Sequence, residues 1–312
     1  TATGTLQVEA GTLALGSATT LGSFAEVQVA SGAVLDCGGF ANVPLPKISG
    51  SGSVENFASL AAYVGAGLDN AWTANLNGSG PVTKDGNGTL RLYAGAGFSG
   101  DLVVNAGWLI ATDSDFARSV VEVNSTSNFS VDYATIAPAV PSVTVAGLRS
   151  STPNGNVRLA TATGGAVIMT VAQDVDTTYG GTFSGANASS QLIKTGSGSL
   201  TLNNETLAST YAGQVKVQGG SMELRTNMAS AAFDVSDGAN LTAWNYSKMK
   251  SVAVSGSGSS LTLKRATAYG NASATSFSLG SGTVLEFKLD SGKSVALLAV
   301  SDATTPSMQP VP

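Results

Sequence analysis

A block of short, glycine-punctuated strands recurs along this chain and limits the folds open to it. The fullest copy runs from Tyr179 to Leu224 and includes Leu192-Ile-Lys-Thr-Gly-Ser-Gly-Ser-Leu-Thr-Leu202. Apolar residues at every second position send one face of a strand inward, and glycine accepts the positive φ of a tight corner without a steric penalty. Because strands of four or five residues are unstable alone, the block predicts strands stacked on the strands of a neighbouring coil.

The spacing of the glycines gives the size of one coil. The pattern V-x-x-G-x-(L/M) starts at Val8, Val104 and Val217. A second glycine follows the first after 21 residues in one copy (Gly11 to Gly32) and after 18 in another (Gly220 to Gly238). A sub-period near 20 residues is typical of one solenoid coil. It predicts an all-β, parallel β-solenoid of roughly 15 coils, about 70 Å long at about 4.8 Å per coil.

The expected organisation is one continuous unit with a tail. We predict a β-solenoid over residues 1–303, with repeat units near 4–35, 76–129 and 177–241, and short helical corner turns such as Ala58–Tyr63. Residues 304–312 contain three prolines and predict an extended linker. The start Thr1-Ala-Thr-Gly, without methionine or a leader, predicts a mature form after signal removal or a piece of a longer chain.

Composition excludes several classes of function. Charged residues make up 11% of the chain, the net charge is −5, and the 15 basic residues are scattered singly, so a nucleic-acid partner is not expected. No apolar run is long enough for a transmembrane helix. Histidine, the commonest general base and metal ligand, is absent. Cys37 is the only cysteine, which suits an exported bacterial protein, and we expect it to be buried in the solenoid.

The repeat resembles the passenger-associated transport repeat of autotransporter-type bacterial surface proteins. The matching pattern is G-x-L-x-K-x-G-x-G-x-L-x-L followed by Y-x-G-x-x-x-V-x-x-G-x-L, best seen in 191–224, then in 81–110, and in part in 4–15. The resemblance implies a single-stranded, right-handed parallel β-helix exported to the cell surface or the medium. It also implies a role as a stalk, an adhesin or a fibre.

Few residues are candidates for binding or chemistry. Trp72, Trp108 and Trp244 are able to stack on sugar rings or pack against a partner, and Trp108 should face outward because it alternates with the inward Leu109. The pairs Asp113/Asp115 and Asp174/Asp176 are spaced to share one side of a strand and hold calcium, although solvated turn carboxylates are the simpler interpretation. We therefore predict no catalytic residue, no metal and no cofactor.

Three functions remain open from the sequence. The first is a non-catalytic surface stalk or adhesin, and the second is a subunit of an extracellular fibre joined end to end through terminal coils. The third, with the least support, is a polysaccharide-active β-helix enzyme. The expected partners are other copies of the chain or cell-surface and extracellular-matrix components, with carbohydrate as one candidate ligand.

Overall fold

The molecule is built almost entirely from short strands. A computed structural model describes residues 4–93, 95, 97–112, 116–132, 140–265, 272–289 and 298–300. These residues form 32 strands and one 3₁₀ helix, Thr20–Ser23. The strands are β1 Thr5–Val8, β2 Thr12–Ala14, β3 Glu26–Val29, β4 Val34–Asp36, β5 Val43–Pro44, β6 Lys47–Gly50, β7 Ser53–Glu55, β8 Leu60–Tyr63, β9 Asp69–Trp72, β10 Asn75–Asn77, β11 Val82–Asp85, β12 Thr89–Leu92, β13 Leu102–Val104, β14 Gly107–Thr112, β15 Phe116–Val123, β16 Ser127–Asp132, β17 Ser142–Arg149, β18 Asn156–Arg158, β19 Ile168–Ala172, β20 Thr177–Tyr179, β21 Thr182–Ser184, β22 Gln191–Thr195, β23 Ser199–Leu202, β24 Gln214–Val217, β25 Ser221–Leu224, β26 Asn227–Val235, β27 Asn240–Trp244, β28 Lys248–Val254, β29 Ser260–Arg265, β30 Ala272–Leu279, β31 Val284–Leu289 and β32 Leu298–Val300.

The strands form parallel sheets that wind into a β-solenoid of about 12 turns, as the sequence predicts. Sheet 1 has the order β1-β3-β6-β9-β12-β14-β16-β18-β21, and sheet 2 has the order β2-β4-β7-β10. Sheet 3 runs the length of the solenoid in the order β5-β8-β11-β13-β15-β17-β19-β22-β24-β26-β28-β30-β32. Sheet 4, β20-β23-β25-β27-β29-β31, takes the place of sheet 1 in the C-terminal half.

The core consists of columns of apolar side chains, one from each turn. In sheet 1 a column of fully buried residues runs through Leu90, Leu109, Phe129, Val157 and Phe183. In sheet 4 the equivalent column is Leu200, Met222, Leu241 and Leu261. Burial of such side chains supplies most of the stabilisation of a stacked strand, which is why alternation in the sequence predicts the inward face.

Two local predictions are corrected. The turns vary more in length than expected, because paired residues lie between 17 positions apart (Val43 and Leu60) and 29 positions apart (Phe116 and Val145). The solenoid has about 12 turns rather than 15. The segment predicted as a helical corner, Ala58–Tyr63, contains strand β8, because Leu60 pairs with Val82 of the next turn. The division into three repeat units stays a prediction, and residues 304–312 lie outside the described part of the chain.

Two lysines are buried at corners of the solenoid. Lys84 and Lys194 are 0% exposed, and each ammonium group donates hydrogen bonds to two carbonyl oxygens in its own corner and one in the next turn. For Lys194 the acceptors are Thr195 (2.7 Å), Gly196 (3.1 Å) and Gly219 (3.2 Å). For Lys84 they are Asp85 (2.9 Å), Gly86 (2.7 Å) and Ala106 (3.0 Å). The Asp85 and Thr195 carbonyls also accept from the backbone N–H groups of Val64 and Gln173. Each lysine thus adds a donor for two further carbonyl groups at its corner and ties one turn to the next.

Two tyrosines make a similar link between turns. The Tyr211 hydroxyl donates to the carbonyl oxygens of Ser190 (2.7 Å) and Gln214 (2.9 Å). The Tyr179 hydroxyl donates to Gly155 (3.0 Å) and Thr182 (3.1 Å). Glycine two residues after the tyrosine makes room for the ring, because a Cβ atom on Gly213 would lie 2.4 Å from the Tyr211 hydroxyl oxygen. The Y-x-G spacing is therefore a packing requirement.

The buried lysines give the stability of the protein a defined pH dependence. Burial lowers the pKa of Lys84 and of Lys194 to about 8, whereas an unfolded lysine titrates near ~10.4. Between these values the unfolded chain binds more protons, so the free energy of unfolding should rise with pH, by up to about 1.4 kcal/mol for each unit of pKa difference. The contribution is complete above the unfolded pKa and lost as the pH falls to about 8.

Urea unfolding at pH 7.5, 8.5 and 9.5 measures this effect. Cys37 has the opposite effect at the highest pH, since burial raises the pKa of its thiol to about 12. Above the pKa of an unfolded cysteine, the thiol in the unfolded chain loses its proton first, and the free energy of unfolding falls. The double variant Lys84→Met/Lys194→Met keeps Cys37 and is the control. Its stability should rise less with pH than that of the wild type; equal slopes would contradict the assignment.

Candidate binding surfaces

Trp72 is part of the core and does not contact solvent. Its side chain is 1% exposed, and its indole N–H donates to the carbonyl oxygen of Pro46 at 2.7 Å. The expectation that Trp72 contacts a ligand is therefore wrong. The reason is that β9 places Trp72 on the inward face, paired with the buried Ile48 of the preceding turn.

Trp244 lies on the outer face of sheet 4, but its ring is covered by cations. The guanidinium carbon of Arg225 lies 3.8 Å from the ring centroid, and the Lys264 ammonium nitrogen lies 4.4 Å from it. Arg225 directly follows β25 and Lys264 lies in β29, the two strands that flank β27. The indole N–H also donates to Glu223. The ring thus makes cation–π contacts with two charged side chains, which compete with a sugar for Trp244.

Trp108 faces outward, as its alternation with Leu109 indicates. Trp108 is half-buried and Leu109 is 1% exposed. The Arg158 guanidinium lies 5.3 Å from the centroid of the Trp108 ring. A contact between Trp108 and a ligand or another chain stays a prediction.

The carboxylates of the pair Asp174/Asp176 accept hydrogen bonds from backbone N–H groups of the next turn. Asp174 accepts hydrogen bonds from the backbone N–H and the hydroxyl of Ser197, each at 3.0 Å, and these bonds lower the pKa of its carboxyl group. Asp176 accepts from the backbone N–H of Ser199 at 2.8 Å. Within the described ranges no group of three or more acidic or cysteine side chains is placed to hold a metal ion. The pair Asp113/Asp115 lies outside those ranges.

A second acidic group surrounds Arg149 on the outer face of sheet 3. The Arg149 guanidinium binds Glu122 at 2.8 Å and Asp101 at 3.2 Å, and Ser151 and Asn124 also donate to Glu122. Burial raises the pKa of Glu122, but hydrogen bonds from Ser151, Arg149 and Asn124 outweigh it and the pKa is lowered. A carboxylate held in its charged form in this way is suited to ion pairing rather than to general acid catalysis.

A corner between sheets 1 and 3 opens into a groove of about 610 Å³, which we call the corner groove. Three successive turns line it, with the residues Gly22, Phe24, Ala25, Pro44, Leu45, Pro46, Lys47, Ala61, Tyr63, Gly65, Leu68 and Asn70. This volume lies within the ~300–1,000 Å³ range of ligand sites.

The prolines explain why the corner groove exists. Proline has no backbone N–H and cannot complete a ladder of hydrogen bonds. Strand β9 pairs with β12 over four residues but with β6 only at Trp72. The Pro46 carbonyl instead accepts its hydrogen bond from the Trp72 indole. The ladder between these two turns is thus reduced to one residue pair beside the groove that Leu68 and the prolines line.

The walls of the corner groove are apolar and its rim is polar. Tyr63 is 76% exposed and Leu68 is 58% exposed, so two large side chains with apolar surface are open to solvent at one groove. At the rim the Lys47 ammonium lies 3.4 Å from the Glu26 carboxylate. The Ser49 hydroxyl donates to Glu26 at 2.5 Å, which lowers the pKa of that carboxyl group. The charged rim is thus internally paired, and the apolar walls are the part open to a ligand.

The sequence analysis did not predict the corner groove, because it looked for binding residues only among the tryptophans. The available signal was Pro44-Leu-Pro46 within a strand pattern, one predicted coil before the aromatic Tyr63. Proline in a strand indicates an edge or an interruption, and here the interruption faces an exposed aromatic side chain.

The two segments that contain the buried lysines also match a known repeat. A family model described as Passenger-associated-transport-repeat matches residues 82–111 and 192–224. This chain carries passenger-associated-transport-repeats. Together the two matches cover about a fifth of the chain. In each of them the repeat lysine is the buried side chain that links two turns.

The passenger-associated-transport-repeat implies an exported, cell-surface protein. No curated protein and no solved structure matches the chain. Among the described residues, no helix has the length and apolar character needed to cross a membrane.

Proposed function

We propose that this chain is a non-catalytic surface passenger whose β-solenoid serves as a stalk with adhesive corners. The observation that carries the proposal is that the defining side chains of both repeats are buried in contacts between turns. Lys84, Lys194 and Tyr211 bind backbone carbonyls of neighbouring turns and present no reactive group to solvent. Such a repeat supplies length and rigidity, and binding is left to the corners.

The adhesive part of the proposal rests on the corner groove. It places an exposed aromatic ring, an exposed leucine and two prolines around one cavity. Large exposed apolar side chains around a cavity are typical of sites that contact other molecules. The enzyme alternative has less support, because the carboxylates near Arg149 are committed to ion pairs.

A fibre subunit is the second candidate, supported by strand β31. Val284 is 53% exposed and Phe287 is 54% exposed. Phe287 pairs with Leu263, which is fully buried. Phe287 therefore continues an inward column but is open to solvent, and another chain could cover it.

Protease treatment of intact source cells tests the surface location. The protein is detected with antibodies raised against its purified form. Proteinase K should remove the antibody signal from intact cells and leave a cytoplasmic marker unchanged. Protection in intact cells and loss only after lysis would overturn the proposal. Electron microscopy of the purified protein then separates the two candidates, because a stalk gives single rods and a fibre gives chains of them.

A further inference from the structure

We propose that the corner groove binds the proline-rich segment 304–312 of a second copy of this chain. The proposal goes beyond the stalk function by naming a contact between copies and the segment that makes it. It assumes only that copies meet at the concentrations of a surface layer.

The chemistry of the groove matches that of the segment. Residues 304–312, Thr-Thr-Pro-Ser-Met-Gln-Pro-Val-Pro, contain three prolines and no charged side chain. Proline-rich sequences favour the extended polyproline II conformation and bind in grooves lined by aromatic side chains, with little loss of conformational entropy. The corner groove offers the rings of Tyr63 and Phe24 together with Leu68, and its one charged lining residue, Lys47, is already paired with Glu26.

The length of the chain requires the segment to come from another copy. In sheet 3, twelve strand spacings separate β5, beside the groove, from β32 at the other end; this distance is about 58 Å at about 4.8 Å per spacing. Residues 301–312 span at most about 43 Å when fully extended, at about 3.3–3.6 Å per residue. The segment therefore cannot reach the groove of its own chain.

A glycan is the competing occupant, and the lining of the groove argues against it. Sugar sites combine aromatic rings with several polar side chains that bind hydroxyl groups. Of the lining residues, only Lys47, Tyr63 and Asn70 carry polar side-chain groups, and Lys47 is paired. Two prolines, a phenylalanine and two leucines make most of the remaining contacts.

Fluorescence anisotropy with a labelled peptide of residues 301–312 tests the proposal on the full chain. The wild type should bind, the variant Tyr63→Ser/Leu68→Ser should bind at least tenfold more weakly, and a peptide with the three prolines changed to alanine should lose at least tenfold. Tyr246→Ser is the matched control, because Tyr246 is also exposed (45%) but lies in sheet 4's half of the molecule; it should leave binding unchanged. Circular dichroism verifies folding of each variant.

Sedimentation of the full chain gives a second, independent measurement. Wild-type protein should form concentration-dependent oligomers, and the full-length variant Pro306→Ala/Pro310→Ala/Pro312→Ala should stay monomeric over the same range. Absence of peptide binding at millimolar concentration, or equal affinity for Tyr63→Ser/Leu68→Ser, would overturn the proposal. Binding of glycans that depends on Tyr63, without peptide binding, would assign the groove to carbohydrate. Surface location is tested separately by protease treatment and is unaffected by either result.

Discussion

Gly196→Ala is expected to lower the free energy of unfolding by about 3 kcal/mol or more, whereas Gly238→Ala should cost only about 1 kcal/mol. The two glycines have nearly the same backbone conformation, with φ of +77° and +76°, so the strain of a left-handed alanine is the same at both. The difference lies in the neighbouring turn. A Cβ atom on Gly196 would be 2.3 Å from the Gln173 carbonyl oxygen, while a Cβ atom on Gly238 would have nothing within 4 Å.

The contact at Gly196 is with backbone, which cannot move aside as a flexible side chain can. Inserting a methyl group there must separate two stacked turns and weaken the ladder between them. Chemical denaturation of the two variants and the wild type measures both losses. Equal losses at the two positions would show that backbone strain alone, and not the spacing between turns, determines which corners need glycine.

Lys194→Ala is expected to destabilise the protein by about 3–5 kcal/mol, the range seen when one partner of a buried polar network is removed. The substitution leaves a cavity and removes the lysine donor from the carbonyl oxygens of Gly196 and Gly219, whereas the Thr195 carbonyl still accepts from the Gln173 backbone N–H. Unmatched buried acceptors cost about 1–3 kcal/mol each when water cannot reach them. Lys194→Met should lose less, because methionine fills much of the volume although it satisfies none of the acceptors.

Lys216→Ala is the matched control for Lys194→Ala. Lys216 is the same residue type on the neighbouring strand β24, but it faces outward and is only half-buried. Its removal should change stability by no more than about 0.5 kcal/mol, as is usual for surface substitutions. Urea unfolding followed by circular dichroism compares the three variants. A loss at Lys194 no greater than at Lys216 would mean that solvent hydrates the corner and that the lysine is not a structural link.

The buried lysines could have been recognised from the alternation. In Leu192-Ile-Lys194, the lysine occupies the position two residues after an inward leucine, and Val82-Thr-Lys84 repeats that arrangement. Period two therefore places both lysines inside. The usual location of lysine gives the opposite expectation, because lysine side chains are rarely fully buried. Only the nearby carbonyl groups of two turns show why a charged side chain is tolerated at these positions.

The candidate site was less accessible to sequence reasoning than the fold. Alternation alone correctly predicted that Trp108 faces outward. It did not show that Arg225 and Lys264 contact the ring of Trp244, because those residues come from the two neighbouring turns, whose register depends on turn length. The corner groove has the same origin: Phe24, Pro46 and Tyr63 belong to three turns and meet only after stacking.

The sequence by itself determined that this chain is a parallel β-solenoid carrying passenger-associated-transport-repeats. Alternating apolar residues and glycine corners are local features, and each acts within one strand or one turn. Only the tertiary structure decided which tryptophan is buried, which is covered and where a groove opens. Those outcomes depend on the alignment of successive turns, and turns of 17 to 29 residues bring together side chains whose spacing in the chain follows no fixed period.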